Sequence, residues 1–264
     1  MPISLVGSEM CIRDSYADRR FYLGNTISRG NYFKYPANIF IEGEETALFY
    51  GFETDGIYQT GDTTVGNAQA GDVRIIDQNG DNVIDISDRT IIGNPNPDYT
   101  FGINLSVRYK AFSLSALVNG VYGNDIVNGN LIQMGNAEGL FRNILTDAYH
   151  GAWRPEKPSN SYPRIGYLGN DGPEFLAISD RYVEDGSYLR LNNITLGYDL
   201  PINENNTIKG ANIYVTGQNL LTLTNYSGYD PEITSFMWTG LINGVDWNGP
   251  PNSRNILIGL NLNF

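Results

Sequence analysis

The chain has 264 residues and a formal net charge of -12, with 29 Asp and Glu against 17 Lys and Arg. This acidic balance, with no basic block interleaved with aromatics, excludes nucleic acid as a partner. Only 17% of residues are charged while 18 are Tyr and 30 are Gly, which suits an all-β fold, soluble or membrane-spanning.

Residues 1–15, MPISLVGSEMCIRDS, differ in character from the remainder of the chain. They resemble translated adapter sequence and are set aside as non-native, leaving residues 16–264 for fold reasoning. On that reading the one cysteine, Cys11, is not native, the true N-terminus is missing, and no internal disulfide framework exists. No signal peptide is legible, and no run of about 18 apolar residues offers a membrane-spanning helix.

Two candidate strands come first, NYFKYPANIFI at 31–41 and ALFYGFETDGIYQ at 47–59. The acidic stretch DQNGDNVIDISD occupies 77–88. Like charges this close repel one another unless something positive sits between them. Asp77, Asn79, Asp81, Asp85 and Asp88 occupy positions 1, 3, 5, 9 and 12 of an EF-hand-type calcium loop, and Val83 would supply the backbone carbonyl at position 7. Asn82 stands where that loop usually has glycine, and Asp88 reaches less far than the usual bidentate Glu. Two readings stay open: a weak Ca2+ site that stiffens the loop, or a solvated acidic turn whose side chains cap local backbone donors.

Long alternating strands come next. In TFGINLSVRY, Phe101, Ile103, Leu105, Val107 and Tyr109 share one face, opposite Asn104, Ser106 and Arg108. After a turn at Lys110 and Ala111, Phe112, Leu114, Ala116, Val118 and Tyr122 repeat the apolar face opposite Ser113, Ser115 and Asn119. Leu140, Ile144, Leu145 and Ala148 predict a helical fragment further on. A hairpin runs over 188–200 and 211–222; Ile194, Leu196, Tyr198 and Leu200 share a face, while Leu220 and Leu221 blur the period of its second arm. The terminal NILIGLNLNF places Ile256, Ile258, Leu260, Leu262 and Phe264 on one face. Runs of about 9–11 residues suit tilted strands that cross a bilayer. Counted back from the C-terminus, the short connections (110–111, 201–210) fall on one side and the long ones (60–98, 123–186, 225–253) on the other. That sorting is the pattern of short periplasmic turns and long extracellular loops.

The segments FYGFETDGIYQ (49–59), DQNGDNVIDISDRTIIGNPNPDYTFG (77–102), SDRYVEDGSYLRLNNITLGYDLP (179–201), VTGQNLLTLTNYSGYDPE (215–232) and the strand ending in Phe264 resemble the C-terminal part of SusC/RagA-type TonB-dependent outer-membrane transporters. The resemblance covers nearly everything after about Phe40. It implies an all-β fold: part of an antiparallel transmembrane β-barrel, here an open curved sheet with long extracellular loops. It implies the outer membrane of a Gram-negative bacterium, with lipid around the wall. It implies energy from the TonB complex through N-terminal parts missing here, a SusD-like surface lipoprotein as lid, and glycan or oligopeptide cargo. The unpaired edges of such a piece predict low stability or aggregation when it is isolated.

No HExxH, GxSxG, Walker A or GxGxxG arrangement occurs, and the only histidine, His150, has no catalytic companion, so the chain reads as no enzyme. Trp153, Tyr226, Tyr229, Trp238 and Trp247 are candidates for stacking on sugar or contacting the lipoprotein lid, or else for packing the loops or forming the aromatic girdle at the membrane boundary; Asn104, Arg108, Asn119 and Asn261 read as barrel lining. The competing reading is a secreted, soluble calcium-binding β domain or carbohydrate-binding module. It requires the apolar strand faces to pack into a core.

Overall fold

The computed structural model describes residues 20–23, 37–135, 143–165, 178–202, 208–232, 242–247 and 249–264. Residues 1–15, the first part of the 31–41 candidate, Leu140 and Trp238 lie outside these. In chain order the strands are β1 (Arg20–Leu23), β2 (Asn38–Ile41), β3 (Leu48–Phe52), β4 (Thr54–Ile57), β5 (Val73–Ile75), β6 (Arg89–Gly93), β7 (Tyr99–Tyr109), β8 (Phe112–Tyr122), β9 (Asp125–Asn128), β10 (Val183–Asp185), β11 (Tyr188–Leu200), β12 (Gly210–Thr224), β13 (Val245–Asp246) and β14 (Asn255–Asn263). Two short helices, α1 (Gly129–Met134) and α2 (Thr146–Gly151), lie between β9 and β10. The predicted helical fragment is therefore α2: it starts after Leu145, which is its N-cap, and buries Ala148. The chain forms two compact units.

One unit (Pro97–Asn124, Asp185–Glu232, Gly249–Phe264) holds all the long strands. They form one antiparallel sheet in the order β14–β12–β11–β8–β7. Among the described residues β7 and β14 have no outer neighbour, so the sheet is open, as expected. An 11-residue strand such as β7 or β8 reaches roughly 35 Å at 3.3 Å per residue, enough to cross a bilayer core with tilt. Lys110 takes φ 54°, the positive φ that a two-residue hairpin turn needs.

The register also accounts for the blurred period. Between Leu191 and Asn193 the pairing slips against both neighbours: against β8 Asn192 is the extra residue of a bulge, and against β12 two residues stand opposite it. Opposite it on β12, Asn219 takes φ 52° and Leu220 is passed over. Leu221 pairs with Leu191, while Leu220 folds over Gly217, where a Cβ would lie 2.5 Å from its Cδ1. The bulge shifts the apolar parity of β11 from Leu189 and Leu191 to Ile194, Leu196 and Tyr198.

The other unit (Met1–Asn96, Asp125–Glu184, Ile233–Asn248) is built largely from segments expected as loops, and it has a core of its own. Its sheets are β1–β2–β3–β6, β10–β9–β13 and β4–β5, with β9 and β13 parallel. The candidate strand at 47–59 breaks at Glu53, so that β3 and β4 join different sheets. Phe49, fully buried, packs with Ala37, Val127, Ile132, Ile178, Ile242 and Val245. Gly51 in mid-strand allows the Ile178 carbonyl to close in, because a Cβ there would stand 2.1 Å from that oxygen. Asp72, nearly buried, holds Arg164 at 2.6 Å, and Trp153 donates its indole N–H to Gln59 Oε1 at 2.9 Å.

Candidate functional site

The five long strands place chemically opposite surfaces on the two sides of one sheet. Register rows run Leu105–Ala116–Ile194–Gly217–Ile256 and Val107–Leu114–Leu196–Val215–Ile258, apolar from edge to edge. In place of the core that a sandwich would require, this face is open: Ile103 is 58% exposed and Ile258 78%. Aromatics stand at both ends of the band. Tyr99 stacks on Tyr122 with centroids 5.0 Å apart at the end carrying the long connections. Phe112 meets Tyr198 at 4.8 Å, beside Tyr109, at the end of the short turns. An apolar band between two aromatic girdles is the outer surface of a membrane barrel.

The opposite face is polar and internally bonded. Arg108 pairs with Asp199, which also accepts from Asn212 Nδ2 at 2.7 Å, and the Thr195 and Thr216 hydroxyls lie 2.8 Å apart. Asn104, Ser106, Asn119 and Asn261 share this face by register, so the predicted lining residues do fall together. Tyr214 lies across Gly259, where a Cβ would be 2.2 Å from its ring, covering bare backbone with an aromatic. The main charge cluster here is one that sequence reasoning missed. Arg190, 3% exposed, donates to Asp230 Oδ1 at 2.5 Å, Glu232 Oε2 at 2.6 Å and the Thr222 hydroxyl at 3.1 Å, and its guanidinium lies 5.2 Å from the Tyr188 ring centroid. Asn252 also donates to Asp230. These bonds clasp the segment after β12, and the approach to β14, onto the wall. The local pattern hid it: without the bulge at Asn192, Arg190 would share the parity of Ile194, Leu196 and Tyr198 on the apolar face.

The 77–88 loop brings its carboxylates onto its own backbone. Asp77 accepts from the Gly80 and Asn82 N–H groups at 2.7 Å each, Asn79 Oδ1 from Asp81 N at 2.9 Å, and Asp81 Oδ1 from Val83 N at 2.8 Å. Asn82 takes φ 61° and so supplies the turn that glycine usually makes. Asp85 caps the 3-10 turn Ile86–Asp88, accepting from Ser87 N. Asp88 is fully buried and accepts from Gln78 N and Asp85 N, stapling the two ends of the loop. Desolvation pushes the Asp77 carboxyl up, but the N–H groups of Asn82, Gly80 and Asp81 and the Asp88 side chain together outweigh it, holding the carboxyl below its ordinary range. Among the described residues no three His, Cys, Asp or Glu side chains converge as a preformed metal site. Both oxygens of Asp77 and of Asp88 accept from backbone donors, and Asn79, Asp81 and Asp85 each accept one backbone N–H, so in this geometry the side chains cap the loop's own backbone. The donor set of Asp77, Asn79, Asp81, Asp85, Asp88 and the Val83 carbonyl is all oxygen, the chemistry calcium takes.

Comparison with known proteins bears on the wall. No family model matches the chain. TonB-dependent receptor P3 of Formosa agariphila is 34% identical over 247 residues, 89% of this chain and 24% of that protein. TonB-dependent receptor SusC of Bacteroides thetaiotaomicron is 30% identical over 94% of this chain and 22% of its own length. Among solved structures, the RagAB peptide transporter superposes with a TM-score of 0.70 at 27% identity, over 92% of this chain and 24% of that one. The chain is a homologue of the TonB-dependent receptors of SusC/RagA type. It spans about a quarter of the length of these relatives. Its open antiparallel sheet corresponds to part of a receptor barrel.

Within that family frame the remaining candidates sort by burial. Trp153 and Tyr226 are buried, and Trp247 is partly buried against the Phe49 core, so these three pack the fold. Tyr229 is 71% exposed and free to meet a ligand. His150 is exposed at the end of α2, its ring edge-on to Tyr149 at 5.3 Å. It stands apart from any acid–base partner among the described contacts.

Proposed function

We propose that this chain is the C-terminal part of an outer-membrane TonB-dependent nutrient transporter in a Gram-negative bacterium, importing glycan or oligopeptide. The observation that carries the reading is the two-faced wall: an exposed apolar band between aromatic girdles on one side, and a bonded polar surface on the other. The polar surface would line the lumen and the apolar one would meet lipid. The homology to SusC and to the RagAB transporter supports energy supplied through TonB and a SusD-like lipoprotein over the mouth. The soluble-module reading requires the rows at Leu105 and Val107 to be covered by a core, and their exposure counts against it.

Topology tests the proposal in intact cells. A cysteine at Thr63, in a long connection, should react with a membrane-impermeant maleimide, and one at Lys110, in the short turn, should react only after the outer membrane is opened. Equal reactivity at both sites contradicts the reading.

We propose further that the 77–88 loop takes a calcium ion at weak, extracellular-type affinity and is stiffened by it. The positive φ of Asn82 supports this reading, and Asp88 acts as the staple. Terbium luminescence should appear at millimolar ion and be lost in Asp81→Asn; a dark loop at that concentration refutes it.

A further inference from the structure

On the apolar side of the wall, at the end carrying the long connections, lies a groove of ≈ 710 Å³. Its floor is Phe101, Leu189 and Leu223, continuous with the apolar band. Gly120 makes the floor flat: a Cβ there would stand 2.4 Å from Phe101 Cζ, so only glycine lets that ring lie across the strand. The stacked pair Tyr99 and Tyr122, 53% and 52% exposed, forms one wall.

The rim is polar and lined by Asp185, Ser187 and Asn225. Asp185 Oδ1 accepts from Ser187 N at 2.8 Å, leaving Oδ2 to accept from a guest. Ser187 Oγ accepts from Gly123 N at 3.0 Å, leaving its own proton to donate. The Asn225 amide offers both donors and an acceptor. No Lys or Arg is among the described residues lining the groove. A phosphate head group would therefore meet a carboxylate with no cation beside it, and an ammonium, which only donates, would leave the rim donors unused. Sugar hydroxyls both donate and accept, and sugar rings present flat apolar faces to tyrosine.

We propose that this groove seats a glycolipid, with an acyl chain along Phe101, Leu189 and Leu223 and an uncharged, hydroxyl-rich head group against Asp185, Asn225 and the Tyr99–Tyr122 pair. The volume falls within the roughly 300–1,000 Å³ typical of small-molecule sites. The site rests on the reading of the apolar face as lipid-facing, and it adds a selectivity that a bare hydrophobic belt lacks.

The test is native mass spectrometry of the full receptor from mixed micelles. These contain equal amounts of monogalactosyl diacylglycerol, phosphatidylethanolamine and phosphatidylglycerol with identical acyl chains. The galactolipid adduct should be retained over the phosphatidylglycerol adduct by about tenfold, and Asp185→Asn and Tyr122→Leu should each remove most of that preference. Leu260→Val, elsewhere on the same face, should leave it unchanged. Free galactose should not displace the adduct. Equal retention of the three lipids, dominance of the amine lipid, displacement by free galactose, or a preference indifferent to both variants overturns the groove. Failure of the membrane reading has a separate signature: loss of alternating lipid contact along the whole wall.

Discussion

The two units of the chain treat the same kind of side chain in opposite ways. In the unit built from the long connections, Phe49, Ile39 and Val245 are fully buried, and Gly51 and Gly244 let neighbouring groups close in where a Cβ would clash. In the wall unit, Ile103, Leu105, Ile256 and Ile258 stand open in ordered rows. One unit makes its own apolar environment, whereas the other presents a surface matched to one supplied from outside. Polar groups mirror this: Asp72 and Arg164 are fixed inside the first unit, while the wall sends Asn104, Arg108 and Asn261 to its far face. Alternation in sequence therefore states only that a strand has two faces. Burial, read from the structure, says which face lacks a protein partner.

The largest effects should come where a buried partner is removed. Arg190→Ala leaves Asp230, 2% exposed, without its cation and should cost about 3–5 kcal/mol, read as a fall in thermal midpoint of the full receptor in micelles. Phe49→Ala in the other core should cost a similar ~3–5 kcal/mol, because the cavity has nothing to fill it. Leu105→Arg, in the middle of the exposed band, should cost about 2–4 kcal/mol in a bilayer and far less for unfolding in water, and that difference between solvents is its diagnostic. Ile258→Ala should cost much less than Phe49→Ala, since mobile acyl chains fill the space that a packed core leaves empty. A cost for Ile258→Ala equal to that of Phe49→Ala would break the contrast between the two regions.

The smallest effect is the acid response of the 77–88 loop. The Asp77 carboxyl is depressed in the folded state, so its contribution is present above the unfolded value of about 3.9 and is lost as pH falls through the folded value. Amide shifts of Gly80 and Asn82 should move together in that acid window and stop responding in Asp77→Asn. A loop whose Gly80 and Asn82 shifts stay fixed through that window would lack the carboxylate bonds described for Asp77.

Much of the wall was legible in the sequence, because period-two alternation sustained over nine or more residues is the mark of a long two-faced strand. The strands around Ile103, Leu114, Leu196 and Ile258 lie where that pattern puts them. The second arm was not legible past Gln218, because a bulge inserts residues without leaving a compositional mark. Asn219 reads as an ordinary polar residue until its φ of 52° is seen. The loop unit was the larger surprise. Its strands run two to five residues, too short for periodicity to show, and its core joins Phe49 to Val245 across most of the chain. The Arg190 clasp was hidden for the same reason: its carboxylates lie 40 and 42 residues away, beyond any local spacing rule.

The most direct test of the central claim is a spin-label scan of β14, one cysteine at a time from Ile256 to Leu262, in the full receptor reconstituted in bilayers. Oxygen, which partitions into lipid, should relax labels at positions 256, 258, 260 and 262, and a water-soluble nickel chelate should relax those at 257, 259 and 261. A scan without that alternation, or with every position open to the chelate, would contradict the assignment of this wall to a membrane barrel.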